Sequence, residues 1–473
     1  MSLRPTPAQG FAATVETLIV GAGACGMVAA LAATEAGQEV LVLEADAVPS
    51  GSTALSAGLI PAAGTRWQAA AGIEDDPARL AADVQAKAKG ENRPEIVAAL
   101  TETVPRVLEW LADRHGLAFS VVTDFDYPGH SRRRMHGLAS RSGAELVDRL
   151  RAACERVGVE IVCSARVTAL FAEADGRVTG VEVTRPDGGT EALGCGRLVL
   201  ACNGFGGNAA MVAAEIPEAA EAIYFGHAGN RGEAVAWGRA LGAGLRHMGA
   251  WQGHGNVAHP HGILISWAVI AAGGYQVNAE GARFWDESQG YSEAARHVLA
   301  EPGGWAVAVF DERIAAIARQ FADFRTAEAQ GAVRRADDLE ALAGAFGLPA
   351  GALTRTAAEV ATAEGRDRFG RDWAGVPPLA PPYCGVRVTG ALFHTQGGLD
   401  ITPEGRVRRA AGGVLPNLWA AGGAACGVSG AADAGYLSGN GLLAAVAMGW
   451  RAGAGGVQGG GAAPGAEGAA PAG

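Results

Sequence analysis

The segment 15-VETLIVGAGACG-26 decides the fold. Its first six residues are typical of a buried strand, and its last six fit the pattern GxGxxG. An alanine-rich stretch from Met27 to Ala36 then predicts a helix, and Glu39–Leu43 predicts a second buried strand. A strand, a glycine turn, a helix and a parallel strand together make a βαβ unit.

The glycine turn brings bare backbone amides and the start of a helix to one point, with no Cβ atom in the way of a pyrophosphate. Glu44 follows the second strand, 18 residues after Gly26, where a carboxylate can accept hydrogen bonds from both ribose hydroxyls. The alternative is a glycine-rich turn with only a structural role. Because strand, helix and acid are all in register, the sequence favours a dinucleotide site.

Two further segments favour FAD over NAD. The loop Ser50–Gly58 consists mainly of small residues that can approach a flat ring system, and a second glycine-rich segment near the C-terminus can do the same. The predicted cofactor-binding residues are Gly21, Gly23, Ala24, Cys25, Gly26, Glu44, Ala45, Ser50, Gly51, Ser52, Thr53, Ser56, Ala57, Gly58, Val167, Asn203, Gly204, Gly422, Ser438 and Leu442.

Composition narrows the possible functions. The 473 residues carry 38 basic and 49 acidic side chains, a net charge of −11, which argues against nucleic-acid binding and against a polybasic membrane anchor. The seven cysteines show no CxxC pair and no zinc-ligand spacing, so we expect no metal and a reducing compartment. Without a signal-peptide pattern or an apolar stretch of about 18 residues, we expect a cytoplasmic protein with no membrane span.

The order of elements predicts an α/β fold: a Rossmann-like FAD-binding domain, with a parallel sheet and a β-meander, interrupted by an α+β cap domain. After about residue 231 the sequence becomes rich in His, Trp and Gly, and two charged stretches predict helices, Asp311–Phe324 and Ala336–Ala345. The predicted boundaries are 11–245 and 390–452 for the FAD-binding domain, 246–389 for the cap, and 453–473 for a disordered Gly/Ala-rich tail.

Several segments resemble the flavoprotein family of fumarate reductases, succinate dehydrogenases and 3-ketosteroid dehydrogenases: the N-terminal unit, 198-LVLACNGFGG-207, 394-HTQGG-398, 418-LWAAGG-423 and 438-SGNG-441. The resemblance implies a discontinuous FAD domain, a cap, and a final helix from Asn440 that points its N-terminus at the flavin. Two positions depart from the family pattern. The loop Ser50–Gly58 lacks the histidine that links FAD covalently in succinate dehydrogenases, which implies non-covalent FAD. Gly423 replaces an acid common in the family, so the ribityl contact of that acid is not expected.

The resemblance also implies roles for three tyrosines. Tyr291 and Tyr436 stand where fumarate reductases carry two arginines, a proton donor and a carboxylate clamp. Both changes resemble 3-ketosteroid dehydrogenases, in which one tyrosine removes an α-proton and the other polarises the ketone. We expect Tyr291 to be the base, with a pKa lowered by positive charge or hydrogen bonds. Tyr436 and an amide near Asn440 or Gly441 would then bind the enolate oxygen, and Tyr127 would line the pocket. An ordinary buried phenol is the alternative for each tyrosine.

Several histidines and arginines suggest that the substrate carries an anionic group in addition to the ketone. His394 keeps the place of a fumarate reductase histidine that binds a substrate carboxylate, and His254 falls near another. The run Arg132-Arg133-Arg134 favours an anionic group beside the ketone. A solvated loop is the alternative for the arginines, and a structural histidine is the alternative for His254.

The sequence thus predicts an FAD-dependent dehydrogenase that introduces a C=C bond next to the carbonyl of a small, cyclic ketone or keto acid, such as an oxocyclohexanecarboxylate. The alternatives are a fumarate-reductase-like reductase of an activated C=C bond, a true 3-ketosteroid dehydrogenase, and a flavoprotein with only a structural or assembly role. The chain has no CxxCH haem site, no iron–sulfur spacing and no second dinucleotide fingerprint, so we expect an external electron acceptor.

Overall fold

A computed structural model describes residues 2–124, 127–363 and 365–455 of the chain. Its strands are β1 (Ser2–Arg4), β2 (Ala13–Val20), β3 (Val40–Leu43), β4 (Ile60–Pro61), β5 (Ser120–Val121), β6 (Met135–Gly137), β7 (Glu160–Val162), β8 (Arg166–Ala172), β9 (Val178–Thr184), β10 (Thr190–Leu200), β11 (Ile223–Tyr224), β12 (Leu245–Arg246), β13 (Trp251–Ala258), β14 (Ile263–Leu264), β15 (Tyr275–Val277), β16 (Trp305–Asp311), β17 (Val333–Ala336), β18 (Tyr383–Thr395), β19 (Gly398–Leu399), β20 (Arg406–Arg408) and β21 (Val414–Ala420). Its α-helices are α1 (Ala24–Glu35), α2 (Gly51–Ala54), α3 (Arg66–Ala70), α4 (Pro77–Lys87), α5 (Pro94–His115), α6 (Gly143–Arg156), α7 (Ala209–Glu215), α8 (Glu233–Ala240), α9 (Ala268–Ala271), α10 (Tyr291–Ala300), α11 (Glu312–Ala318), α12 (Ala322–Ala329), α13 (Leu339–Phe346), α14 (Ala352–Ala361) and α15 (Asn440–Ala454).

The largest sheet has nine strands in the order β1-β8-β9-β10-β2-β3-β7, with β21 beside the end of β10 and β20 beside β21. Strands β21, β10, β2, β3 and β7 pair in parallel, which is the arrangement that helix crossovers produce. Strands β8, β9 and β10 form an antiparallel meander. This mixture confirms the predicted α/β fold class with a parallel sheet and a β-meander.

Two helices on this sheet, α1 and α15, pack against each other although they are far apart in sequence. Helix α1 packs against α15, and their backbones approach so closely that a Cβ atom on Gly449 would lie 2.5 Å from the Cys25 carbonyl oxygen. A Cβ on Gly453 would lie 2.2 Å from the carbonyl oxygen of Ala29. Glycine is therefore required on α15, and the contact aligns the N-termini of two helices that are more than 400 residues apart in sequence.

A second, seven-stranded sheet forms the predicted cap. Its order is β14-β13-β18-β16-β15, and β11 and β17 also pair with β18. Helix α10 packs on β13 and β18. Strand β18 runs from the cap towards the first sheet and ends at Thr395, so the boundary predicted between residues 389 and 390 falls inside one strand.

Three predicted segments differ from the structure. The stretch predicted as one helix, Asp311–Phe324, contains the end of β16, helix α11 and the start of α12. Asp311 is the N-cap of α11, because its side chain accepts the Ile314 amide at 3.0 Å. The other stretch predicted as a charged helix, Ala336–Ala345, begins with the last residue of β17, and its helix, α13, starts at Leu339. Helix α15 extends to Ala454, and residues 456–473 of the predicted tail lie outside the described residues.

The sequence also predicts that the protein has no membrane span and no metal site and that it resides in a reducing compartment. Among the described residues, no helix combines the length and the apolar character needed to cross a bilayer. The same part of the chain contains no cluster of three or more His, Cys, Asp or Glu residues arranged for a metal ion. All seven cysteines are free thiols.

Candidate active site

Of the three glycines in the turn between β2 and α1, Gly21 and Gly26 are required by close backbone contacts, whereas a Cβ atom at Gly23 would have room. Gly21 has φ +104°, and a Cβ there would lie 2.6 Å from the Ala201 carbonyl oxygen. A Cβ on Gly26 would lie 1.8 Å from the Gly21 carbonyl oxygen. At Gly23 the nearest atom to a Cβ would be the Thr53 hydroxyl oxygen, at 3.5 Å. The protein itself therefore does not require glycine at 23, whereas a pyrophosphate against the start of α1 would.

Glu44 lies at the end of β3, where the sequence predicted it. Its two carboxylate oxygens accept the backbone amides of Ala22 at 2.8 Å and Asp46 at 2.9 Å. These bonds fix the carboxylate beside the glycine turn, and Glu44, Ala45 and Asp46 all line the cavity. Each carboxylate oxygen has a second lone-pair direction, so Glu44 can still accept hydrogen bonds from ribose hydroxyls. The turn and the acid thus fit FAD.

The loop after β3 folds into the short helix α2 and presents small side chains to the cavity. Gly51, Ser52, Thr53, Ser56 and Ala57 line its wall. The N-cap residue of α1, Gly23, has no side chain to cap the helix, and the first amide of α1 donates to the Thr53 hydroxyl at 3.1 Å instead. Ala24, Cys25, Val167, Asn203, Gly422, Ser438 and Leu442 line the same cavity.

A side-chain amide occupies the position next to Gly423, where relatives carry an acid. Asn203 has φ +65°, and its Oδ1 would lie 2.0 Å from a Cβ on Gly423. Its Nδ2 donates to the Ser52 hydroxyl at 2.9 Å. The missing acid at 423 and the asparagine at 203 are therefore linked, because no larger residue fits at 423 while Asn203 holds this place.

Five residues predicted at the site lie behind its wall. Gly26 and Gly58 allow close backbone contacts, since a Cβ on Gly58 would lie 2.6 Å from the Ser142 carbonyl oxygen. A Cβ on Gly204 would lie 2.0 Å from the Thr395 hydroxyl oxygen. The other two are Ser50, which precedes α2, and Asn440, whose amide nitrogen donates to Ser429 at 3.2 Å. These five support the site from outside the cavity.

One cavity of about 1060 Å³ joins the nucleotide cleft to the predicted substrate pocket. It begins at the glycine turn, passes the N-terminus of α15 and ends between the cap and the first sheet. Its far part is lined by all three predicted tyrosines and both predicted histidines: Tyr127, Tyr291, Tyr436, His254 and His394. The structure therefore brings together residues separated by more than 300 positions in sequence.

The segment before Tyr291 contains two residues, Arg283 and Glu287, that belong to a buried ion-pair network. The guanidinium of Arg283 donates to both oxygens of Glu287, at 3.0 and 2.5 Å, and Arg371 lies 3.2 Å from the same carboxylate. Arg283 also pairs with Asp367. Glu287 is fully buried, so the network fixes the segment that leads into α10, whose first residue is Tyr291.

Tyr291 lies in a buried, aromatic part of the cavity. Its hydroxyl is 3.0 Å from the Ser438 hydroxyl, its ring stacks on His254 with centroids 5.0 Å apart, and the Tyr436 ring centroid is 6.5 Å away. Burial, with the neighbouring Tyr436, raises the pKa of Tyr291 well above its ordinary value. The sequence predicted a pKa lowered by nearby positive charge, and this shift runs in the opposite direction.

Tyr436 faces the N-terminus of α15. Burial raises the pKa of Tyr436 to about 12, although the backbone amides of Gly441 and Gly439 act on its hydroxyl in the opposite direction. A Cβ on Gly441 would lie 3.7 Å from the Tyr436 hydroxyl oxygen and 3.1 Å from His394 Nε2. The space beside Gly441 is therefore bordered by a phenol and an imidazole.

Both histidines are neutral at physiological pH. Burial lowers the pKa of His394 to about 4 and that of His254 to about 3. His254 Nδ1 accepts the Asn256 amide at 3.2 Å, which leaves the proton on Nε2. Tyr127 also lines this region, and burial raises its pKa.

The arginine run does not supply charge to the cavity. Arg134 is completely buried between Asp75, at 2.8 Å, and Asp83, at 2.5 Å. Arg132 and Arg133 donate to main-chain carbonyls of the surrounding loops. The prediction of an anion site on this run is wrong, and for Arg134 the solvated loop is wrong too, because its charge is neutralised inside the protein.

Sequence reasoning missed a segment that closes the nucleotide cleft. His227 Nε2 lies 2.8 Å from Asp46 Oδ2, and Asn230 donates to the Ser52 hydroxyl at 2.9 Å. These contacts connect residues about 180 positions apart, and no local pattern marks either residue. Of these residues, the sequence analysis identified only Ser52, the partner of Asn230, as part of the predicted flavin loop.

Comparison with known proteins identifies the class. The chain belongs to the FAD binding domain family, which matches residues 16–442. It is 29% identical over 430 residues to a probable fumarate reductase of Shewanella frigidimarina, an alignment that covers 89% of this chain and 72% of that protein. It is 25% identical over 515 residues to the 4-oxocyclohexanecarboxylate 2-dehydrogenase of Sinomonas cyclohexanicum, with 87% and 88% coverage.

A solved structure supports the same assignment. The 3-ketosteroid-Δ4-(5α)-dehydrogenase of Rhodococcus jostii RHA1, in complex with 4-androstene-3,17-dione, superposes with a TM-score of 0.78 at 27% identity, covering 95% of this chain and 99% of that one. The protein is therefore an FAD-dependent oxidoreductase of the fumarate reductase and ketosteroid dehydrogenase family, acting on carbon–carbon bonds.

Replacing Glu44 tests the nucleotide site. Glu44→Ala should weaken FAD binding by about 10–150-fold, equivalent to about 1.5–3 kcal/mol for lost hydrogen bonds to a charged group. Glu16→Ala is the matched control, because Glu16 accepts the Glu39 amide at 2.9 Å between the same two strands but lies away from the cavity. FAD dissociation constants of both variants provide the measurement, and equal values would contradict the assignment.

Arg134→Ala should destabilise the fold without touching the site. Loss of the guanidinium leaves the fully buried carboxylate of Asp75 without its cation, which costs about 3–5 kcal/mol. Arg132→Ala, on the exposed part of the same run, should change the free energy of unfolding by less than about 0.5 kcal/mol. Urea denaturation of the two holoenzymes measures the difference, and a small effect for Arg134→Ala would restore the solvated-loop interpretation.

Proposed function

We propose that the protein is an FAD-dependent dehydrogenase that introduces a C=C bond next to the carbonyl group of a cyclic ketone. The observation that carries the proposal is the pair of buried tyrosines, Tyr291 and Tyr436, whose rings lie 6.5 Å apart on one wall of the cavity. Desaturation of a ketone needs a group that removes the α-proton and a donor that stabilises the enolate oxygen. Two neighbouring phenols that face a bound ring can supply both.

FAD, when bound, would accept a hydride from the β-carbon of the ketone. Tyr436 would donate a hydrogen bond to the carbonyl oxygen of the ketone. Its own oxygen already accepts hydrogen bonds from the backbone amides of Gly439 and Gly441, so its hydrogen is free to point at the substrate. This arrangement leaves its proton for the substrate. A donor that costs no reorganisation stabilises negative charge as it develops.

Tyr291 would remove the α-proton in the same step. Its raised pKa means that the resting side chain is a neutral phenol rather than a preformed phenolate. The Ser438 hydroxyl, at 3.0 Å, is placed to exchange a hydrogen bond with the phenol oxygen during proton transfer. A neutral phenol cannot accept the α-proton, so the base would be the phenolate that forms when Tyr291 loses its proton to solvent. The hydrogen bond from Ser438 favours that phenolate, and polarisation of the ketone by Tyr436 makes the α-proton more acidic.

The charge around the tyrosines favours a neutral substrate. In the described chain, each arginine on the cavity wall is bound to another group: Arg141 to Asp124, Arg166 to Glu233 and Arg325 to main-chain carbonyls. With His254 and His394 neutral, a carboxylate would gain no ion pair beside the tyrosines. The dehydrogenase of Sinomonas cyclohexanicum acts on a keto acid, and we carry over from it the cyclic ketone but not the acid.

We also propose that FAD is bound non-covalently and that electrons pass to an external acceptor. No histidine occurs in the loop around α2, which consists mainly of small side chains. Acid denaturation should therefore release the yellow cofactor into the supernatant, and cofactor retained in the pellet would contradict the proposal.

Reduction of an activated C=C bond is a second candidate. It is favoured by the 29% identity with a probable fumarate reductase and by the resting phenols, which can donate protons as well as accept them. The two directions use the same residues in the same places. They differ in which substrates exchange electrons with the flavin.

Tyr291→Phe tests the base. Only a hydroxyl is lost, so ligand binding should change little, while flavin reduction by a ketone substrate should slow by about 10²–10⁴. With the flavin reduced beforehand, the wild type should exchange the α-hydrogen of the ketone with deuterium from the solvent, and Tyr291→Phe should not.

The matched control is Tyr275→Phe. Tyr275 is another buried cap tyrosine, it lies off the cavity, and its hydroxyl has no partner in the described structure. This variant should behave as the wild type. Exchange that survives in Tyr291→Phe would mean that a different group removes the proton.

Tyr436→Phe tests the oxyanion site. Loss of the donor should lower the rate of flavin reduction by about 10²–10³. It should also weaken binding of phenolate ligands, which imitate the enolate, whereas Tyr291→Phe should leave that binding nearly intact. Titration of both variants with a phenolate, followed by the flavin absorbance spectrum, separates the two roles, and identical losses in both would refute them.

A further inference from the structure

A chain of hydrogen bonds leads from the start of α15 to the imidazole of His394. Asn440 Nδ2 donates to Ser429 Oγ at 3.2 Å, Ser429 Oγ donates to Gln396 Oε1 at 2.7 Å, and Gln396 Nε2 lies 2.6 Å from His394 Nδ1. Ser429 and Asn440 are each only 1% exposed. Ser429 and Asn440 are therefore isolated from water, whereas Gln396 and His394 line the cavity. Each member of the chain depends on the next for a partner.

The direction of these bonds determines where the histidine carries its proton. Ser429 has one hydroxyl hydrogen, which it gives to the Gln396 oxygen while it accepts from Asn440. The Gln396 amide nitrogen, which can only donate, then faces Nδ1 of His394. With the amide in this orientation Nδ1 accepts the bond, and the neutral ring then carries its proton on Nε2.

The protonated nitrogen lies next to the Tyr436 hydroxyl. His394 Nε2 and Tyr436 Oη would lie 3.1 and 3.7 Å from a Cβ on Gly441, so both border the space that the glycine leaves open. The two rings meet edge to face with centroids 5.4 Å apart. One substrate oxygen in that space can accept from both donors.

We propose that Gln396, Ser429 and Asn440 are positioning residues that hold His394 as an Nε2–H donor to the same carbonyl oxygen that Tyr436 binds. This proposal rests on the proposed function, because it assigns a second donor to the enolate oxygen. It also defines the ligand class: a neutral carbonyl that becomes an oxyanion, rather than a carboxylate bound by a charged imidazole.

Nitrogen NMR of the ¹⁵N-histidine-labelled holoenzyme with oxidised FAD tests the proposal without any substrate. The His394 signals, assigned by their absence in His394→Ala, should be those of an unprotonated Nδ1 and a protonated Nε2. A protonated Nδ1 would overturn the proposal, because the same four residues can also hydrogen-bond in the reverse order.

Two variants at one position test the positioning role. Gln396→Glu places a carboxylate, which can only accept, beside Nδ1; the proton should move to Nδ1 and the His394 pKa should rise from its low value. Gln396→Met removes the amide and should give a mixture of both tautomers. Gln276→Met, at another buried glutamine whose amide bonds to Gly255, should leave the His394 signals unchanged.

The outcome is independent of the reaction assigned above. If the ketone reaction is wrong, the wild-type tautomer and its reversal in Gln396→Glu remain as expected. If the positioning role is wrong, Gln396→Glu leaves the tautomer unchanged, while the Tyr291 and Tyr436 variants still behave as described.

Discussion

The structure depends on the close contact between α1 and α15. Gly449 and Gly453 let the backbone of α15 lie against Cys25 and Ala29, and a side chain at either glycine position would collide with a carbonyl oxygen. This contact places two helix N-termini along one cavity, one at the glycine turn and the other beside Tyr436. A positive helix end favours negative charge, which suits a pyrophosphate at the first and an enolate or reduced flavin at the second.

The substrate part of the cavity follows a different principle, the removal of charge. The fumarate reductases that the sequence resembles use arginines at two positions where this chain has buried tyrosines. Burial keeps both phenols and both histidines neutral. A site of neutral donors and acceptors can move a proton and stabilise an oxyanion that forms transiently. Among the described residues, no cation contacts these four side chains to hold a dicarboxylate. The proposed ketone chemistry therefore depends on the neutrality of these side chains as well as on the hydrogen bonds that they can make.

Local patterns led to the predicted nucleotide site, and the family resemblance led to the two tyrosines; the structure places residues of both sets along one cavity. The βαβ unit, Glu44 and the small-residue loop are short patterns with a direct physical meaning, whereas the tyrosines are identified only by the places that they hold in the family pattern. Arg134 could not be predicted, because its burial depends on Asp75 and Asp83 about 50–60 residues away. The same holds for Asn203 beside Gly423 and for the chain behind His394. Each is a long-range contact between residues that look ordinary in sequence.

Anaerobic titration of the flavin tests the central claim most directly. The oxidised holoenzyme should lose its yellow absorbance when titrated with the methyl ester of 4-oxocyclohexanecarboxylate or with a 3-ketosteroid, because the neutral site removes hydrogen next to a ketone. The reduced holoenzyme should not be reoxidised by fumarate, because no cation among the described residues contacts the two tyrosines or the two histidines. Rapid reoxidation by fumarate, with no bleaching by any ketone, would contradict the account.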